Sequence, residues 1–160
     1  MEAPKQITPT KLADYLEILT KTAFEPGLNW SVIERKWPGF QAAFHAFDPA
    51  TVANLSPDEV DALATDERIV RSRKKIEATV HNAQAMIAAE QEYGSFKKYL
   101  ESMGGFEATV KDMRKRFKFV GDFGSYYFLY VVGEPPAAAG AGWRSGVAVA
   151  PPGAARRCAR

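Results

Sequence analysis

Apolar residues recur every three or four positions along most of the chain, and no block of useful length alternates every second position. Leu12, Tyr15, Leu16 and Leu19 set the first stripe. It predicts an amphipathic helix that starts at Thr8-Pro9 or Thr10 and runs to about Phe24, behind a loose arm at residues 1–7. Pro26-Gly27 interrupts it, and Asn29 is placed to cap a second helix whose apolar side carries Val32 and Ile33. Trp37-Pro38-Gly39 predicts a break, after which Phe40, Ala43, Phe44 and Phe47 mark a short helix. Asp48 before Pro49, and Ser56-Pro57-Asp58-Glu59, predict two more helix starts; in the latter Glu59 can reach back to the amide of Ser56. The longest regular segment spans about 72–93, with Ile76, Val80, Ala83 and Ile87 on its apolar side. Ser95 caps a helix containing Phe96, Tyr99 and Leu100, which Met103-Gly104-Gly105 ends. The expected fold class is all-α.

Residues 111–133, KDMRKRFKFVGDFGSYYFLYVVG, organise the rest. The densest cationic cluster in the chain (Lys111, Arg114, Lys115, Arg116, Lys118) leads through a glycine-bearing turn into an aromatic-rich run. This predicts two helices, the first over 106–117, joined by a tight hairpin. Gly121 and Gly124 can take positive φ or admit a close approach, so amides at the start of the second helix could face an anion such as a DNA phosphate. On these residues alone, an ordinary helical corner with a solvated basic face is the favoured reading.

Composition narrows the field. With 160 residues, 46% hydrophobic and 25% charged, the chain fits one domain with a real core. No run reaches the ~20 apolar residues of a membrane span and the N-terminus lacks the apolar core of a secretory signal, so a cytoplasmic location and no membrane partner are expected. Residues 134–160, rich in Ala, Gly, Pro and Arg, carry four arginines and one acid of a chain whose net charge is +2, which leaves −1 for residues 1–133. A helical domain at 1–133 followed by a disordered tail at 134–160 is the expected organisation, and any nucleic-acid role rests on a local patch. Phosphate-loop, dinucleotide-binding and metalloprotease motifs are all missing from the sequence, and no cofactor is expected.

Four segments, in order and in approximate register across residues 12–133, resemble the type I DNA-3-methyladenine glycosylases. They are AFEPGLNW at 23–30, FHAFDP at 44–49, IVRSRKKI at 69–76 continuing to Asn82-Ala83, and RFKFVG at 116–121 continuing to Gly133. The resemblance implies a helix-hairpin-helix protein that grips double-stranded DNA, rotates an alkylated base into a pocket and cleaves its N-glycosidic bond. Trp30 matches the family's stacking tryptophan, and Phe24 lies beside it as a second expected base contact. The family's base-recognising glutamate falls on Thr22, which carries no charge; Glu25, three residues later, is the candidate substitute. Lys118, Gly121, Asp122 and Gly124 of the hairpin, with Arg71 and Arg73, are the expected contacts to the DNA backbone. Asp122 is read as a helix cap and not as a catalytic acid.

The family pattern also carries two Cys and two His as zinc ligands. Here Cys158 stands alone and His45 and His81 lie in other segments, so no bound metal is expected. Two functions follow from the resemblance and its departures: a divergent alkyl-base glycosylase, or a catalytically inactive helix-hairpin-helix module that binds DNA or a protein partner. The oligomeric state is left open.

Overall fold

The computed structural model describes residues 5–25 and 29–134; the expected tail beyond residue 134 lies outside the described residues. These residues form eight α-helices and one short 3₁₀ segment, and there is no strand among them. α1 (Leu12–Phe24) is the innermost element: Leu16, Leu19, Ala23 and Phe24 are completely buried. Its start is held by Asp14, whose carboxylate accepts from the amides of Thr10 and Lys11 and from the Thr10 hydroxyl. Of the expected loose arm, residues 1–4 lie outside the described residues, and Gln6 and Ile7 are tied to the far end of the chain's helical body. The Ile7 amide donates to the carbonyl of Val131 at 2.8 Å and the Gln6 side chain donates to that of Tyr130.

α2 (Trp30–Ala43) begins at Asn29, whose Oδ1 accepts from the Ser31 amide. Contrary to the expected break, it runs unbroken through Trp37-Pro38-Gly39. Pro38 is exposed, so the carbonyl that loses its partner faces water. Helical continuation places Trp37, Phe40, Phe44 and Phe47 in one stacked series, with ring centroids 5.0 to 6.2 Å apart. Gly39 serves approach and not termination: a Cβ there would lie 2.3 Å from the carbonyl oxygen of Arg68. The true stop comes at His45–Phe47, three consecutive residues with φ between 53° and 58°.

α3 (Pro49–Ala53) starts at Asp48, which accepts from the Thr51 amide and hydroxyl. α4 (Pro57–Leu63) carries the reciprocal Ser56–Glu59 box foreseen from sequence. α5 (Arg73–Tyr93), 21 residues long and capped by Ser72 and by Gly94 at φ 90°, is the strut on which α1, α3, α4 and α6 (Phe96–Glu101) pack. α7 (Phe106–Arg116) and α8 (Asp122–Val131) make the expected hairpin, and α8 returns against α1. That return brings the hairpin beside the end of α1 and the start of α2.

Candidate nucleic-acid interface and base site

The turn between α7 and α8 is fixed from inside. Asn82, on α5 and 1% exposed, accepts from the Lys118 amide at 2.7 Å and donates to the Lys118 carbonyl at 3.1 Å. One side chain thus clamps both sides of one residue. Phe117 and Val120 point inward, while Lys118 and Phe119 stay outside. The positive φ expected of the glycines falls instead on Phe119, at 59°; Gly121 is extended, with φ −93°. Gly121 is the N-cap of α8 and no side chain caps the helix, so its leading amides point outward. A Cβ at Gly121 would meet no atom within 4 Å, so what the glycine leaves open there is space for an approach from outside. At Gly124 a Cβ would meet Thr22 at 3.7 Å, an ordinary packing distance between α8 and α1.

Asp122 is not the cap expected from sequence. It occupies the first helical position, where its charge still complements the helix dipole, and it pairs with Arg114 at 2.9 Å. The basic cluster divides accordingly. Arg116 is held by Asp112 at 2.7 Å and Glu92 at 3.1 Å, over the faces of Tyr93 and Tyr99, and Tyr99 donates its hydroxyl to Asp112 at 2.6 Å. Burial opposes the Asp112 charge, but the hydrogen bonds from Tyr99 and Arg116 outweigh it and hold the carboxyl below its ordinary range. This network braces α7 and occupies the Arg116 guanidinium with partners of its own. Lys111, Lys115 and Lys118 are exposed. With Glu107, Val110, Arg114, Asp122 and Tyr126, Lys111 and Lys115 line an open groove of about 510 Å³ between α7 and α8. Tyr126 faces that groove, on a side of α8 different from the one that meets α2.

On that other side, Trp30 opens α2 and is half-buried, its ring 4.9 Å from Tyr127 at an interplanar angle of 32°. Tyr127 in turn lies 6.4 Å from Phe123. Burial pushes the Tyr127 hydroxyl pKa up, and Glu34 and Glu25 push it further in the same direction. Glu25 follows α1 as its C-cap, half-buried. Lys75, from the first turn of α5, donates to the Phe24 carbonyl at 3.2 Å with its ammonium 5.9 Å from the centre of the Phe24 ring. Burial lowers the Lys75 pKa, against the opposing pull of Glu25.

Two of the expected base contacts are placed otherwise than the sequence suggests. Phe24 is fully buried, edge-on against Phe40 at 4.9 Å, so its ring faces the core and not an incoming base. Thr22 is 4% exposed and donates its hydroxyl to the Leu19 carbonyl at 2.7 Å. Arg73 is engaged by Asp61 and by Glu77, whereas Arg71 is exposed on the connection into α5. The structure therefore brings Trp30, Thr22, Glu25, Gly121 and Gly124 to one end of the fold. It adds Tyr127, which the sequence reads more readily as core, and Lys75 and Asn82, which lie in the family-like segment but to which the sequence assigned no role of their own. The four-residue spacing of Phe123 and Tyr127 was the available signal for the first; Lys75 was hidden in a basic run that reads as solvated.

A model of the methyladenine glycosylase family matches residues 9–119. The chain is 30% identical to DNA-3-methyladenine glycosylase 1 of Escherichia coli, over 73% of this chain and 74% of that protein. To the DNA-3-methyladenine glycosylase of Haemophilus influenzae it is 32% identical, over 56% of this chain and 48% of the relative. Among solved structures, a variant of 3-methyladenine DNA glycosylase I in complex with 3-methyladenine superimposes with a TM-score of 0.74 at 29% identity, over 83% of each chain. The Staphylococcus aureus enzyme, in a structure describing its recognition of 3-methyladenine, gives 0.72 at 29%, over 83% of this chain and 82% of that one. With the family model spanning well over half of the chain and a relative 30% identical over about three quarters of its own length, the chain belongs to the methyladenine glycosylase family.

Proposed function

We propose that this protein is a base-excision repair glycosylase that binds duplex DNA through the α7–α8 hairpin and removes an alkylated purine flipped against Trp30. The observation that carries the reading is the Trp30–Tyr127 pair, which sets an indole directly beside the hairpin helix. Leading amides of α8 and the open space at Gly121 suit a phosphate, with Lys118 adding attraction that weakens with salt. Trp30 packs against Tyr127 yet stays partly exposed, and that exposed part of the indole is the surface a flipped base would meet. An indole face attracts a cationic ring, and an N3- or N7-alkylated purine is such a cation.

The chemistry fits the side chains at hand. With Thr22 donating to Leu19, its oxygen offers only lone pairs, so it supplies neither a proton nor a charge to the leaving base. The lesion must then bring its own activation. When the glycosidic bond of an alkylated purine cation breaks, the electron pair leaves with the base, which departs neutral. The sugar is left as an oxocarbenium ion that water captures with loss of a proton. Glu25 is the carboxylate proposed to face that positive charge, with Lys75 fixing the end of α1 from which it projects.

The committed Thr22 hydroxyl also favours a second reading, a relative that binds DNA without excising. Chromatography of bases released from methylated duplex DNA separates the two. Free 3-methyladenine or 7-methylguanine above the spontaneous rate establishes excision; binding without release establishes the silent relative.

A further inference from the structure

Among the described residues, Phe119 at 45% and Phe123 at 44% exposure are the large hydrophobic side chains left in solvent. They stand two residues before and two residues after Gly121, at the hairpin tip. Phe119 is not outside by default. Its backbone is held at φ 59°, a conformation that disfavours any residue with a Cβ, and the buried Asn82 fixes the residue before it through two hydrogen bonds. The fold therefore works against both backbone preference and burial to present a phenyl ring to solvent. Phe123 is the outer member of the ring series that runs through Tyr127 to Trp30.

We propose that Phe119 and Phe123 form an apolar clasp for the deoxyribose of the strand whose phosphate lies at the start of α8, and that this clasp selects DNA over RNA. The inference rests on the DNA-binding reading above and adds a sugar contact to it. A nucleic-acid backbone alternates phosphate with sugar, and the hairpin tip alternates in kind: Lys118 and the open amides at Gly121 are interleaved with Phe119 and Phe123. Deoxyribose has only C–H groups at C2′, which suit a phenyl face. Ribose would press its 2′-hydroxyl against a ring, losing water with no hydrogen bond in exchange. Contacts to phosphate cannot make that distinction, because the phosphates are the same in both polymers.

The test is fluorescence anisotropy of the full chain on a labelled DNA duplex at four salt concentrations, for the wild type, Phe119→Ala, Phe119→Gly and Phe123→Ala. A matched set of duplexes carries one ribonucleotide at each successive position. Each alanine variant should bind roughly fivefold more weakly at every salt concentration with an unchanged slope of log affinity against log salt, because no counterion release is lost. Phe119→Gly relieves the left-handed backbone, so it should melt no lower than wild type yet bind as weakly as Phe119→Ala. Wild type should lose affinity for a ribonucleotide at one or two positions, and the alanine variants should lose that sensitivity.

Alanine variants that bind like wild type, or that change the salt slope, overturn the clasp and leave the DNA reading standing. Wild-type protein that binds no DNA overturns both. Sedimentation velocity tests the other occupant: a wild-type dimer that Phe119→Ala turns into a monomer would assign the rings to a second copy of the chain and overturn the proposal.

Discussion

Replacing Asn82 by alanine should loosen the hairpin and, through it, DNA binding. The side chain makes two hydrogen bonds to the backbone of Lys118, each contributing about 1 kcal/mol net. Lys118 is exposed, so its peptide groups regain water once released and the full cost of a buried orphan does not arise. The expected loss is about 2 kcal/mol, or a melting temperature lower by roughly 6–8 °C. Well below that melt, where the variant is fully folded, affinity for duplex DNA should fall by about tenfold or more, because the turn no longer holds Gly121 and Phe119 in place. Asn82→Asp refines the test. Its carboxylate still accepts from the Lys118 amide but sets a second oxygen against the Lys118 carbonyl. Burial and that carbonyl raise the carboxyl's folded pKa above the unfolded value, so stability should rise as pH falls through it and the protonated group donates again. Circular-dichroism melts paired with anisotropy supply both readouts. An Asn82→Ala protein that melts several degrees lower yet binds DNA with wild-type affinity would refute the claim that this clamp presents the hairpin.

Three further outcomes are expected. Lys118→Ala should weaken DNA binding at low salt and reduce the salt slope by about one, which a titration at several ionic strengths reads directly. Asp112→Asn should lower the melting temperature at pH 7 by roughly 5 °C. Because the folded Asp112 pKa lies below its unfolded value, its contribution is present above about pH 4 and lost as pH falls through the folded value, so the two melting curves should converge in acid. Gly39→Ala should destabilise despite alanine's better helix propensity, by about 1–2 kcal/mol, since its methyl collides with the Arg68 backbone; a raised melting temperature would contradict this.

Much of the fold was legible because the helix starts are chemically explicit. Asn29, Asp48, Ser56, Ser72 and Ser95 each accept from an amide at the start of a helix. The misplaced break at residues 37–39 has a physical cause: proline and glycine in succession signal a stop only when no tertiary contact rewards continuation. Here the stacked rings of Trp37, Phe40, Phe44 and Phe47 and the close passage of Arg68 over Gly39 supply one. Local sequence also misassigned the positive φ, because it gives glycine the conformational freedom while the Asn82 clamp, reaching across 36 positions, imposes the left-handed residue on Phe119. Trp30 and the hairpin could be read from motif register. Tyr127 and Lys75 could not, since each acquires its meaning only from the helix that packs beside it.

The most direct measurement is single-turnover release of base from a methylated duplex with the protein in excess, for wild type and Trp30→Ala at matched fractions of bound DNA. Release of an alkylated purine by wild type, lost with Trp30→Ala while binding and helix content persist, is the predicted result. Equal release by both proteins, or none by wild-type protein saturated with DNA, would contradict excision at Trp30.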